Sequence, residues 1–130
     1  MTAATSDLYI EQGATFKLAF TWYADGDGTT PRDLTAATVR MQIRKNQQSP
    51  VLLDARSDGV NPKIIINGDG DSVGTVRITL SDSDTDALTS KSARYDIEVE
   101  MADGTVYRLF QGAVTVSPNI TQLSGEPVVE

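Results

Sequence analysis

An antiparallel β-sandwich of seven to eight short strands is the fold this sequence predicts, on three observations. Residues 95–118, YDIEVEMADGTVYRLFQGAVTVSP, set two alternating runs around Ala102-Asp103-Gly104, the pattern of a β-hairpin. The same period of two recurs over residues 15–22, 38–45 and 76–80. Clusters of Gly, Pro, Asn and Asp punctuate these runs at short intervals.

Each element follows in chain order. Residues 1–6 are small and polar, and read as a loose N-terminal arm. Residues 7–10 form a short strand that ends in the turn Glu11-Gln12-Gly13. In the next strand Phe16, Leu18, Phe20 and Trp22 share one face, against Thr15, Lys17, Ala19 and Thr21. Trp22, the single tryptophan, is expected in the core. ADGDGTTP (24–31) is a loop. Val39, Met41 and Ile43 then point inward, and Arg40, Gln42 and Arg44 outward. NQQSP (46–50) turns the chain into a weaker strand at 51–55. A short apolar run at 63–66 precedes Asn67-Gly68-Asp69-Gly70, and Val76, Ile78 and Leu80 supply another inward face.

SDSDTDAL (81–88) breaks the alternation. Ser81 caps a short helical turn at about 82–88, with acidic residues near its positive dipole end. In the closing hairpin Tyr95, Ile97, Val99 and Met101 face in, and Arg94, Asp96, Glu98 and Glu100 face out. Tyr107 and Leu109 share one face and Val114 and Val116 another. The odd interval from Tyr107 to Val114 requires a slip of phase, and Gln111-Gly112 is the expected site of a β-bulge. The segment after it has two prolines, one glycine and no period. The expected organisation is an arm at 1–6, a sandwich at 7–117 and a C-terminal arm at 118–130. Closure into a small barrel is the alternative architecture.

The 130 residues suit one domain, and 39% hydrophobic with 22% charged residues is ordinary for a globular chain. Catalysis based on histidine or cysteine is excluded, because the sequence contains neither. A carboxylate pair for glycoside cleavage requires a cleft that a sandwich of this length has little material to build. Disulfides and thiolate zinc sites are absent with cysteine, and no cofactor is expected. Two calcium-loop patterns fail at their last ligand. After Asn67, Asp69 and Asp71 the glutamate position holds Ile78, and after Asp82, Asp84 and Asp86 it holds Ala93. GDGDSVG (68–74) leads into a strand rather than a helix, so it does not form a phosphate loop.

Net charge is −7 with scattered cations, which argues against nucleic acid as a partner. No run approaches the ~18 apolar residues of a membrane helix, and MTAATSD lacks the marks of a signal peptide. Synthesis in a cytoplasm is expected. Outward Arg40, Arg44, Arg77, Arg94 and Arg108 share their class of position with Asp96, Glu98 and Glu100. They read as cross-strand ion pairs or as a polar docking face.

Four stretches carry a family resemblance: YIEQGATFKLAFTW, DGDGTTPRDLTAATVRMQIRK, GTVRITLSDSDTDAL and ARYDIEVEMADGTVYRLFQGAVTVSP. Together they resemble small virion proteins of tailed bacteriophages and the N-terminal domain of phage baseplate upper proteins. The matching residues are Gln12-Gly13, Asp27-Gly28, Asp33-Leu34-Thr35, Tyr95-Asp96, and Val114-Thr115-Val116 with Pro118, within about residues 8–120. The resemblance implies an Ig-like sandwich that serves, without catalysis, as an adaptor in the tail, baseplate, neck or fibre apparatus of the virion. The implied partners are other virion proteins and further copies in a symmetric assembly, with contacts from the arms and edge strands. Pro118, Ile120, Leu123, Val128 and Val129 are the expected partner-binding residues of the C-terminal arm. The alternatives are a recognition module that binds host-surface glycan or protein through loops 24–31 and 67–73, and a capsid-decorating protein.

Overall fold

The computed structural model describes residues 3–23, 28, 30–67, 73–118 and 120. Among them, the elements are β1 (Ala4–Thr5), β2 (Leu8–Glu11), β3 (Phe16–Thr21), β4 (Thr38–Arg44) and β5 (Val51–Arg56). There follow β6 (Ile64–Ile66), β7 (Thr75–Leu80), α1 (Asp82–Asp86), β8 (Ser92–Glu100) and β9 (Val106–Ser117). They form two sheets. One runs β1-β9-β8-β4-β5, with β2 also on β9, and the other runs β3-β7-β6. The chain is an all-β sandwich of two separate sheets, not a closed barrel. Placing β9-β8-β4 in one layer and β3-β7-β6 in the other is the immunoglobulin-type arrangement.

Alternation in the sequence becomes burial in the structure. Val39, Met41 and Ile43 of β4, Val76, Ile78 and Leu80 of β7, and Ile97 and Val99 of β8 are fully buried. Leu34 and Leu88 close the two ends of this core from the loops, and Trp22 is buried as expected. Ser81 caps α1 in a reciprocal capping box with Asp84. The helix is shorter than the 82–88 expected. From its only buried position Thr85 donates to the Ala14 carbonyl (2.8 Å) and accepts from the Gly13 amide (3.0 Å), so α1 anchors the turn between β2 and β3.

Two expectations need correction. First, part of the N-terminal arm is not loose. Ala4 and Thr5 pair in parallel with Phe110 and Gln111, and Ser6 donates to the Gln111 carbonyl at 3.0 Å. The Tyr95 hydroxyl donates to the Ser6 carbonyl, and the Ala113 amide donates to the Asp7 carboxylate at 3.0 Å. β9 has a free flank, and any extended neighbour can satisfy its backbone groups. Second, the bulge does not lie at Gln111-Gly112. β8 pairs Ile97 with Phe110 and Glu98 with Arg108, so Leu109 is the extra residue. Inward positions are Tyr107 and Leu109 before the slip, and Phe110, Gly112, Val114 and Val116 after it. Gly112 has a different task. A Cβ there would lie 2.4 Å from the Ser6 carbonyl oxygen, so its bare backbone lets the N-terminal segment cross β9.

Candidate interaction surface

The outward face of the six-stranded sheet gathers most of the arginines in the chain. Strand register sets them in rows. One row reads Arg56, Arg40, Glu98, Arg108, and the next reads Asp54, Gln42, Asp96, Gln111. A third places Arg44 directly beside Arg94. Sheet twist turns these rows into a shallow concavity of about 770 Å³, lined also by Asn46, Gln47 and Gln48 of the β4–β5 turn.

The two ends of this face differ electrostatically. At one end the charges are paired: Arg40 reaches Glu98 (3.7 Å) and Glu100 (3.8 Å), and Arg108 reaches Asp96 (3.5 Å) and Glu98 (3.8 Å). Arg56 forms a bond with Asp58 at 2.9 Å. The Arg40 and Arg108 pairs are cross-strand ion pairs of the kind expected from sequence, Arg56–Asp58 is a local pair, and on a wet surface each contributes about 0–1 kcal/mol. At the other end Arg44 donates to neutral groups, the Ser49 carbonyl (2.9 Å) and the Gln42 side chain (3.1 Å). Exposed Arg94 stands next to it. Like charges directly opposite on neighbouring strands repel, so this end of the sheet favours an approaching anion.

Asp96 sits between the two ends. Partial withdrawal from water raises its pKa above the ordinary carboxylate value. Glu98 adds to the rise, while Arg108, Arg44 and Arg40 oppose it. The ion pair with Arg108 does not reverse the shift, because it is half open to solvent and screened. A carboxyl with a raised folded pKa holds its proton more tightly in the folded state than in the unfolded one. Stability therefore falls as pH rises from the unfolded value through the folded one. Asp96→Asn is accordingly expected to match or exceed the wild type in stability at pH 7, with its relative advantage gone by about pH 3. Urea melts at the two pH values measure this, and a variant less stable than wild type only at pH 7 would contradict it.

Of the partner-binding residues expected from sequence, two lie among the described residues. Pro118 is exposed just past β9, and Ile120 is 96% exposed, not folded back onto the sandwich. Leu123, Val128 and Val129 lie outside the described residues. So do most of loops 24–31 and 67–73, although their bases meet at one end of the sandwich. There Asn67 donates to Asp33 (3.2 Å) and accepts from the Gly74 amide (2.8 Å). The Asp33 carboxyl is held below its ordinary value, chiefly by the Thr35 hydroxyl. Beside these bases the Arg32 guanidinium stacks on Trp22 (4.4 Å) and Tyr107 (5.3 Å), a cluster that periodicity alone could not reveal. Among the described residues no group of three metal-ligating side chains occurs, and no helix is long and apolar enough to cross a membrane.

No curated protein matches the sequence. A family model described as LtfC-like, beta-sandwich domain matches residues 2–117, a span that takes in both sheets and the arginine-lined face. The chain therefore belongs to the LtfC-like beta-sandwich domain family, a phage-associated family, and is a β-sandwich protein of phage type.

Proposed function

We propose that the chain is a non-enzymatic structural protein of the phage particle. In this reading it is an adaptor of the tail, baseplate, neck or fibre apparatus that docks neighbouring virion proteins in a symmetric, multicopy assembly. It is made in the host cytoplasm and ends in the virion. The observation that carries the reading is the exposed, concave sheet face with Arg44 and Arg94 side by side, inside a domain of a phage-associated family. Such a face binds by shape and charge. Repetition around a particle multiplies modest contacts through effective concentration. Partners are acidic protein surfaces rather than nucleic acid or membrane, since the net charge is −7 and the arginines are largely balanced by neighbouring acids. The exposed start of the C-terminal arm at Pro118 and Ile120 offers a second contact.

The experiment is quantitative proteomics of purified particles, with wild type, Arg44→Glu combined with Arg94→Glu, and a deletion of residues 118–130. The wild type is expected at a fixed stoichiometry. The double variant, folded because both side chains face outward, is expected below about one-tenth of that occupancy. Absence of the wild-type protein from particles ends the proposal. Normal occupancy by both variants removes the face and the arm from it. Binding of the isolated domain to a glycan array, lost on trimming loops 24–31 and 67–73, would favour the recognition module instead.

A further inference from the structure

The sheet β3-β7-β6 ends on one side at β3, whose outer edge pairs with nothing among the described residues. Both N-terminal strands have been drawn onto β9 in the other sheet. The register fixes which groups this leaves open. The Trp22 amide donates to the Gly74 carbonyl, toward β7. By alternation Phe16, Leu18 and Phe20 also bond to β7, so Lys17, Ala19 and Thr21 direct their N–H and C=O groups outward.

The other sheet edges are guarded. β5 follows Pro50, carries Asp54 and Arg56, and has a register shift at its first pair. β6 is three residues long and follows Pro62. The β1–β2 edge is broken at Ser6 and Asp7. These are the devices by which natural sheets avoid edge pairing. Over its six residues β3 has one of them, the single charge of Lys17: it contains no proline, no bulge and no inward charge. Its inward residues Phe16, Leu18 and Phe20 are only half-buried, whereas those of β7 are fully buried.

We propose that the β3 edge is a self-association site that pairs two copies of this chain antiparallel about a two-fold axis at Ala19. In that register Ala19 faces its equivalent, and Lys17 faces Thr21 of the other copy. All three outward-directed residues then exchange both backbone bonds. Inside, Leu18 meets Phe20 and Phe16 meets Trp22 of the other copy, covering the half-buried apolar row. Electrostatics selects a second copy as occupant. Lys17 is the only charge on the strand, and this register sets it against a hydroxyl. The two Lys17 side chains lie about 14 Å apart along the seam, beyond the ~8 Å screening length of physiological salt. Since each copy carries −7, association strengthens as salt rises, the opposite of the behaviour of the arginine-lined face. The surface is distinct from that face, so it stands or falls separately from the proposed virion role.

The test is sedimentation equilibrium of the full chain from micromolar concentration to about 1 mM. A monomer–dimer equilibrium that tightens with salt is expected. Ala19→Lys places two ammonium groups on the axis and raises the dissociation constant at least about tenfold. Thr21→Glu places a carboxylate against Lys17 on both sides and lowers it severalfold. Ala19 is exposed and Thr21 is half-buried with its hydroxyl 3.5 Å from that of Thr75, so thermal melts at low concentration check that the variants fold. Should one fail to fold, hydrogen exchange of the wild type decides: the Lys17, Ala19 and Thr21 amides must gain protection on going from dilute to concentrated protein. A monomer at about 1 mM, a dimer indifferent to both substitutions, or amides whose exchange ignores concentration would each overturn the proposal.

Discussion

Ile97→Ala is expected to destabilise the domain by about 4 kcal/mol. Ile97 lies on β8, a central strand, in a row that runs Ala55, Met41, Ile97, Phe110 across the sheet. It is fully buried, as is Met41 beside it. Phe110, on its other side, makes an edge-to-face contact with Phe20 of the opposite sheet at 4.9 Å. Truncation removes three carbons from a site walled by rigid strands on both sides. The sheet cannot collapse into the gap without giving up its register, so the cavity remains and its cost adds to the lost burial. For a domain of this size the midpoint of thermal unfolding should fall by roughly 10–20 °C. Scanning calorimetry measures it. A fall within a few degrees would mean that the two layers can slide together, contrary to the packing described here. Ile97→Val, which keeps the branched shape, should cost about 1 kcal/mol.

Ile97 also marks how much the sequence discloses. Every strand whose inward residues alternate over three or more positions was legible, because a period of two is what a half-buried strand requires. The 38–45, 76–80 and 95–101 runs each became a strand with its inward set in the core, except Met101, which lies just past β8 and is partly buried against that core. The helical turn was legible for a different reason: Ser81 and Asp84 form the cap that starts it. Ala4–Thr5 was not legible. Its pairing depends on the free flank of β9, and two small residues carry no periodicity. The arginine-lined face was half legible. Alternation assigns each arginine to the outside, but which cations meet acids and which meet each other depends on cross-strand register. Arg44 is fifty residues from Arg94, and no local pattern can place them side by side. The stack of Arg32 on Trp22 and Tyr107 was hidden for the same reason.

Gly112→Ala is the second substitution with a large expected effect, about 2 kcal/mol, and its logic differs from that of a core deletion. A glycine inside a strand signals a bulge or a close approach, and the sequence alone favoured the bulge. The phase slip belongs to Leu109, three residues earlier, so Gly112 is left to serve the close approach. Its missing Cβ is replaced by the chain itself. The Ser6 carbonyl oxygen would stand 2.4 Å from an added methyl, the Ser6 carbonyl carbon 2.9 Å and the Asp7 carboxylate 3.0 Å. The first two are backbone atoms and cannot swing aside. Relief therefore requires Ser6 and Asp7 to lift, which breaks the Ser6–Gln111 bond, the Tyr95 hydroxyl bond to Ser6 and the Ala113 bond to Asp7. Tyr95 faces Gly112 in register, so the same methyl intrudes on the path of the hydroxyl. The loss should therefore be local before it is global. Hydrogen exchange is expected to show faster exchange at the Ser6 and Ala113 amides, with β4 and β7 unchanged at matched stability. Tyr95→Phe, which removes only the hydroxyl donor, should loosen the same segment at a cost of about 1 kcal/mol. If Gly112→Ala left the Ser6 amide as protected as in the wild type, the glycine would not be what admits the N-terminal segment to the sheet.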